Sequence, residues 1–503
     1  MTGRWPPQPP RGKEEPVPAW AEITALEIME AIRGTRLAGD VRTVIRGIST
    51  DSRSLRPGEL FWALKGERFD GHGFISSALE KGAAGVVIRE DHGNPFSSAK
   101  AHAGSSASSG TGPLRSPVII AVPDTLAALG DLAAWWRRRQ VPRVVAVTGS
   151  SGKTTTKEMT ACILERTGRT LKTRGNFNNL IGLPLTLLRL EGGHETAVVE
   201  MGMNRPGEIA RLTEIADPDV GVITNVGLAH LEGLGDIRGV ARAKTELVER
   251  ISTRGKVVLN GDDELLLQTA ASFQREMLTF GTGEKNDVRP AGVRHTKDAA
   301  ISFELLYPEG AQQVRLAVPG THNLMNALAA AAAALCLGVS SGDIAAGLSL
   351  FRGLEGRFRR VSLPGRLTLV DDTYNANPSS LKAALSSVAV LGAGEGRILV
   401  GIGEMMELGC HAAELHRAAG RWVAGIRPRF FAAMGAHADE MVAGAVEGGL
   451  SPDRARVTRT HGEMTDVLRG AAEAGDVILI KGSRKMAMER VVEGFMRQAE
   501  NPS

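Results

Sequence analysis

Disulfides, long apolar runs and a strong charge bias are all missing from this 503-residue sequence. Its three cysteines, Cys162, Cys336 and Cys410, stand far apart with no Cys-x-x-Cys spacing, which excludes a disulfide framework and a zinc knuckle and fits a reducing compartment. The 60 basic and 56 acidic side chains nearly cancel, and the formal +4 is spread along the chain, so no basic stripe marks a nucleic-acid surface. The N-terminal "MTGRWPPQPPRGKEEPVPAW" is Pro-rich and charged where a secretory signal needs an apolar core. The most apolar later stretch, "ALAAAAAALCLGV", is mostly alanine and too short for a bilayer. A soluble, cytoplasmic protein with no nucleic-acid partner and no membrane span is expected.

What is present is a repeating pattern of short apolar runs, each ending in Gly, Asp or Asn. They include "GVVIR", "VIIAVP", "VVAVTG", "TAVVEMG", "VGVITNVG", "GKVVLNG", "LTLVDDTYN", "RILVGIG" and "DVILIKGS". Many lead into helical patterns, so the class is α/β with parallel sheets and crossover helices. The length supports about three domains. Breaks are expected near 137–143 and 353–365, where glycines and arginines interrupt the pattern. That gives a smaller N-terminal α/β domain (19–140), a central phosphate-loop domain with a parallel sheet (141–360) and a C-terminal Rossmann-like α/β domain (361–503). Residues 1–18 read as a disordered tail, and the Gly/Ser/Ala-rich 99–116 as a mobile insert.

The most informative stretch is "VVAVTGSSGKTTTKEMT", 144–160. A strand, a glycine-bracketed loop and a helix follow one another in the order a phosphate cradle needs. Backbone N–H groups around Gly149, Ser150, Ser151 and Gly152 can face phosphate oxygens, Lys153 can reach the terminal phosphates, and Thr154, with Thr155 behind it, can offer a hydroxyl to Mg²⁺. The usual first glycine is replaced by Val147, so the loop is a shortened variant. The guanine-reading Asn-Lys-x-Asp signature is absent.

Two other apolar runs end in polar residues: Glu200 in "TAVVEMGMN", and Asn225 and His230 in "VGVITNVGLAHLEGLG". Ligands of an open parallel sheet collect outside the carboxyl ends of its strands, so Glu200 and His230 can share a metal. A hydroxyl and a carboxylate suit Mg²⁺; an imidazole suits Mn²⁺ as well. Each residue also has an ordinary reading, Glu200 as a salt-bridge partner and His230 as a structural histidine. Lys244 reads as one charge on a solvated helix face. Asn323 and Asn326, one turn apart at the start of an Ala-rich helix, read as a cap or as a pair that contacts a base. His411 and His416 in "GEMMELGCHAAELH" are five apart and do not share a helix face, which argues against a zinc pair.

In this order, the motifs resemble those of the Mur ligases of peptidoglycan synthesis. The matching stretches include "ISTDSRSLRPGELFWALKGERFDGHGF", "VTGSSGKTTTKEM", "GNFNNLIGLPLTLL", "EMGMNRPGEIARL", "NVGLAHLEGLG", "ARAKTELV", "GTHNLMNALAA", "DDTYNANPSS", "GEMMELG" and "KGSRKMAMERVV", spanning about 47 to 492. Within the family, "GNFNNLIGLPLTLL", "DDTYNANP" and "GEMMELG" point to the members that add D-alanyl-D-alanine, and the Asp-Asn-Pro-Arg of diaminopimelate- or lysine-adding members is missing.

The resemblance implies an ATP- and Mg²⁺-dependent ligase acting on UDP-N-acetylmuramoyl-tripeptide and D-alanyl-D-alanine through an acyl phosphate, as a monomer. It implies catalytic and metal roles for Lys153, Thr154, Glu200, His230 and Lys244, the last matching a lysine that some members carry as a carbamate. It puts Asn323 and Asn326 by adenine, Asp372 by ribose and Arg357 nearer the phosphates. Ser49, Thr50, Asp51, Ser52 and Arg53 match the stretch that holds the uridine nucleotide, Asn176 and Asn179 lie along the muramoyl-peptide path, and Asn375, Asn377, Ser483 and Arg484 face the dipeptide. Substrates bridging three domains imply closure of the third before chemistry. A related folylpolyglutamate-type ligase and a bare phosphate-loop ATPase module remain the alternatives.

Overall fold

The computed structural model describes residues 20, 23–66, 69–93, 116–296, 300–392 and 397–500, the last three without their side chains. The expected tail, and all of the 99–116 insert except residue 116, lie outside them. Each of the nine apolar runs forms a strand. No described helix is long and apolar enough to cross a membrane.

The chain divides into two compact units, one running up to Arg143 with 173–199 and 211–217, the other comprising 144–172, 200–210 and 218–503. In the first, Thr35–Ala38, Val118–Val122, Gly85–Arg89, Leu60–Trp62 and Ile48–Ser49 lie side by side in that order, parallel except for the edge pair Thr35–Ala38 with Val118–Val122. The inner strands are buried along their length, as parallel strands covered on both faces must be. Phe61, Ile75, Val86, Ile88 and Ile119 fill one core. Asp124 caps the helix Thr125–Gln140 by accepting from the N–H groups of Leu126 and Ala127. At its other end, Trp136 donates its indole N–H to Leu190 O and stacks on Trp20 at 5.1 Å.

The second unit holds two parallel arrangements. In one, Met277–Phe280, Lys256–Asn260, Val220–Ile223 and Arg143–Thr148 are successive parallel neighbours, so the loop after Thr148 emerges beside the segment after Ile223. In the other, Arg359–Leu363, Leu367–Asp372, Val477–Lys481, Ile398–Gly403, Phe430–Met434 and Ala455–Thr458 form a six-stranded sheet, antiparallel only at the first pair. A three-stranded antiparallel meander, Arg289–His295, Ile301–Tyr307 and Gly310–Leu316, precedes the helix Thr321–Cys336. Ala329 to Ala334 of that helix are fully buried. Their small side chains let it pack closely on the helix Lys153–Leu164 that follows the glycine loop.

Candidate functional site

The glycine loop is shaped by its neighbours. Gly149 and Gly152 both have positive φ, +149° and +80°. A Cβ would come within 1.8 Å of Thr224 Oγ1 at Gly149 and 2.3 Å of Asn326 Oδ1 at Gly152, so only glycine fits either place. The segment after the strand Val220–Ile223 supports the loop. Ser150 N–H donates to Asn225 O, Ser151 N–H to Asn225 Oδ1, and Thr224 Oγ1 to Ser151 O at 2.6 Å. The buried Ser150 hydroxyl donates to Gly227 O and accepts from Gly227 N–H. These contacts commit the Ser150 and Ser151 N–H groups to Asn225 and fix the loop's shape where it opens a helix, whose first N–H groups have the geometry that binds anions.

Lys153 opens that helix and folds its ammonium back onto Gly149 O at 2.7 Å. Burial holds it below the ordinary lysine value; the Glu200 carboxylate opposes the shift and the Arg357 charge adds to it. Thr155 is buried behind it, and Thr154 Oγ1 accepts from Arg357 Nη2 at 2.9 Å. The Arg357 guanidinium also lies over the Tyr374 ring, 3.9 Å from its centroid. Glu200 ends the strand Thr196–Glu200 and is 3% exposed. Lys244 is 2% exposed on the helix Ile237–Arg250, so it is a buried amine and not part of a solvated face. Burial first, and then the charge of Lys153, drives its ammonium well below the ordinary value.

His230 sits at φ +56° with Nδ1 2.7 Å from Glu407 Oε2, an approach out of line for a hydrogen bond. The neighbouring His230 holds the Glu407 carboxyl below the usual range against the opposing effect of burial. The buried Glu200 carboxylate, the Thr154 hydroxyl and the His230 imidazole are the side chains that could contribute to a cation site. Among the described residues no group of three or more His, Cys, Asp and Glu could hold a metal. A hard cation such as Mg²⁺ keeps waters and takes ligands from substrate phosphates, so it needs few protein donors.

The other expected residues divide between ligand-facing and internal positions. Asn326 Oδ1 accepts from Thr156 Oγ1, and Asn323 Nδ2 donates to Pro319 O, so both amides brace the loop and the helix entry. Asp372 is clasped: Oδ2 is 2.6 Å from the buried Lys481 Nζ, and Oδ1 accepts from Phe358 N–H. With Asp371, which accepts from Gly356 N–H, it pins the turn that presents Arg357. Asn377 caps the helix Pro378–Leu391 and donates from Nδ2 to Ser150 O, a direct tie to the glycine loop. Asn375 O accepts from Lys481, and Ser483 is buried between Met406 N–H and Ala376 O. Arg484 is half-exposed and paired with Glu489. His416 is a core residue, its Nε2 accepting from Met405 N–H and its Nδ1 bonded to Ala412 O.

In the other unit, Ser49 Oγ donates to Asp51 O, and Asp51 forms a two-pronged ion pair with Arg53. Lys81 donates to the carbonyl of the buried Ser52, and Thr50 is half-buried in the same turn. Asn179 accepts from the N–H groups of Ile181 and Gly182; Asn176 is exposed. Sequence reasoning quoted the motifs that contain Thr224, Gly227, Tyr374, Lys481 and Glu407 but gave these residues no role of their own. The left-handed φ of +65° at Glu407 cannot be read from a non-glycine residue.

Comparison with known proteins shows the family. Residues 44–137 match the Mur ligase family catalytic domain, 147–334 the Mur ligase middle domain, and 356–484 the Mur ligase glutamate ligase domain. The chain is 36% identical to the UDP-N-acetylmuramoyl-tripeptide–D-alanyl-D-alanine ligase of Bacillus subtilis, over 94% of this chain and 98% of that protein. It is 36% identical to the enzyme of the same name from Escherichia coli, with the same coverage. A crystal structure of MurF from Acinetobacter baumannii superposes with a TM-score of 0.83 at 33% identity, covering 96% of this chain and 100% of that one. MurF ligase from Thermotoga maritima, in complex with ADP, superposes at 0.76 with 29% identity over 91% and 99%. On matches that run nearly end to end, the chain belongs to the Mur ligase family.

Proposed function

We propose that this protein joins D-alanyl-D-alanine to UDP-N-acetylmuramoyl-tripeptide at the expense of ATP, releasing ADP and phosphate. The observation that carries the reading is the pair of contacts by which the C-terminal segment meets the phosphate loop, Arg357 on Thr154 and Asn377 on Ser150. A bare ATPase has no need of a second domain at its phosphates. A ligase must bring an acceptor there. The near full-length similarity to ligases of that name supports the choice of substrates.

The first obstacle is an anionic carboxylate approaching an anionic phosphate. The N–H groups that open the helix after the loop, the Lys153 ammonium and Arg357 offset that repulsion and stabilise charge as the γ-phosphoryl passes to the peptide carboxylate. Lys153 leaves Gly149 O for the phosphates, an exchange of one acceptor for stronger ones. Thr154 and Glu200 would hold one Mg²⁺ and His230 with Lys244 a second, and such cations would neutralise phosphate charge. As a carbamate, Lys244 would supply an anionic ligand to that second cation; as a protonated amine it could not ligate and would meet phosphate as a point charge. The dipeptide amine then attacks the acyl phosphate carbonyl and phosphate departs. Asn375 and Arg484 orient the dipeptide, with Arg484 exchanging Glu489 for its carboxylate. Ser49 to Arg53, Asn176 and Asn179 hold the nucleotide-linked peptide. The enzyme works as a monomer in the cytoplasm, where its nucleotide substrates are.

The test is phosphate release from ATP and Mg²⁺, with the peptide product followed by mass. The reading requires release to depend on both the tripeptide nucleotide and D-alanyl-D-alanine, with the dipeptide mass added. Release without an acceptor, or with a single amino acid instead, overturns it.

A further inference from the structure

The loop 404–409 reaches the histidine of the site from the C-terminal sheet. Glu407 Oε2 lies 2.7 Å from His230 Nδ1, Glu232 N–H donates to Glu407 O at 3.3 Å, and Gly409 has φ +57° with Glu232 Cα 3.4 Å from where its Cβ would be. Both partners of the carboxylate–imidazole contact are non-glycine residues held in the left-handed region, His230 at +56° and Glu407 at +65°. Such conformations cost free energy and persist where the surroundings enforce them, commonly at functional sites. The same loop is fixed from behind: Ser483 N–H donates to Glu404 O, and Met406 N–H donates to Ser483 Oγ.

We propose that Glu407 is a positioning residue: supplied by the C-terminal domain, it takes the Nδ1 side of His230 and turns Nε2 toward the second cation, so that this half of the metal site is complete only when the two domains are together. This rests on the ligase reading for its metal site and goes beyond it in assigning Glu407. An imidazole that ligates through one nitrogen is fixed in tautomer and orientation by what the other nitrogen meets, and a carboxylate is a common partner. The Nδ1 atom is buried without a hydrogen-bond partner among the described residues, and the Glu407 carboxylate 2.7 Å away is the charged group that meets it. Nothing in the central domain has to change for the device to work. Separation of the domains withdraws the carboxylate and frees the ring, which ties cation binding to the closed arrangement in which an acyl phosphate is shielded from water.

The experiment is Mn²⁺ binding to the full chain with ADP, read by electron paramagnetic resonance, in wild type and Glu407→Gln. Expected is a loss of about ten- to a hundredfold in affinity at one of two Mn²⁺ sites, the other being unchanged. In a His230→Asn background, Glu407→Gln should cause no further loss, because the carboxylate acts through the ring. Glu407→Gly provides a second variant, since glycine accepts the positive φ without strain and should keep the fold while losing the same affinity. Unchanged Mn²⁺ affinity in the folded single variants, or additive losses in the double variant, overturns the proposal. Neither the tripeptide nucleotide nor the dipeptide is present, so a chain that bound Mn²⁺ as expected yet failed to join those substrates would contradict the ligase reading and leave this one standing.

Discussion

Two loops of the second unit, 149–154 and 371–377, were both read from the sequence as ligand contacts, and they are built in opposite ways. In 149–154 the functional groups are backbone N–H donors and one lysine, while side chains from other segments, Thr224, Asn225 and Asn326, do the holding. In 371–377 the polar side chains themselves do the holding. Asp371 and Asp372 pin the Arg357 turn, Asp372 clasps Lys481, and Asn377 caps a helix. A glycine pattern therefore announces its function, because it has few other uses. A cluster of Asp and Asn has many, and the local hydrogen-bond needs of the chain absorb them first.

The contrast can be broken most forcefully at Asp372. Asp372→Ala leaves the Lys481 ammonium, 2% exposed, without its charge partner. A loss of about 3–5 kcal/mol in urea unfolding is expected. A variant of unchanged stability with only a raised KM for ATP would make Asp372 a ribose ligand after all, and the two loops alike. At the other loop the expected signature is reversed: Lys153→Ala should lower turnover by about a hundred- to a thousandfold with little change in the unfolding midpoint, since its ammonium bonds a backbone carbonyl, Gly149 O, and among the described residues no carboxylate clasps it as Asp372 clasps Lys481. A large stability loss would mean that Lys153, too, is structural.

A smaller effect sharpens the account of what lies between the loops. His322 packs edge-on against Phe358, bonds through Nδ1 to Ser387, and is pushed down by burial from 6.5 to about 4. The ring is neutral in the folded protein and takes a proton more readily when unfolded. Its contribution is therefore full above pH 6.5 and lost as the pH falls toward 4, a decline of at most about 3 kcal/mol. His322→Gln should flatten unfolding free energy across that window. A slope unaltered by the substitution would assign the acid sensitivity elsewhere.

Much of the fold was legible because parallel strands buried on both faces leave continuous apolar runs that end in turn residues, as "VVAVTG" and "DVILIKGS" do. The phosphate loop was legible for the reason already given. Lys244 in isolation read as a surface charge, because "ARAKTELV" shows helical spacing but not which face is covered; only the family resemblance singled it out, and at 2% exposure it lies on the covered face. Glu407 lies in the quoted "GEMMELG", but its contact with His230 was not legible. Its role depends on a left-handed backbone and on a histidine 177 positions away, neither of which leaves a trace in local sequence.

The measurement that bears most directly on the central claim follows the oxygen that phosphoryl transfer must move. The tripeptide nucleotide, labelled with heavy oxygen in its terminal carboxylate, is turned over with ATP and D-alanyl-D-alanine, and the released phosphate is weighed. Transfer of the γ-phosphoryl group to that carboxylate predicts a single labelled oxygen in the phosphate and its loss from the peptide. Unlabelled phosphate, with the label kept in the peptide, would show that water receives the phosphoryl group and contradict the account.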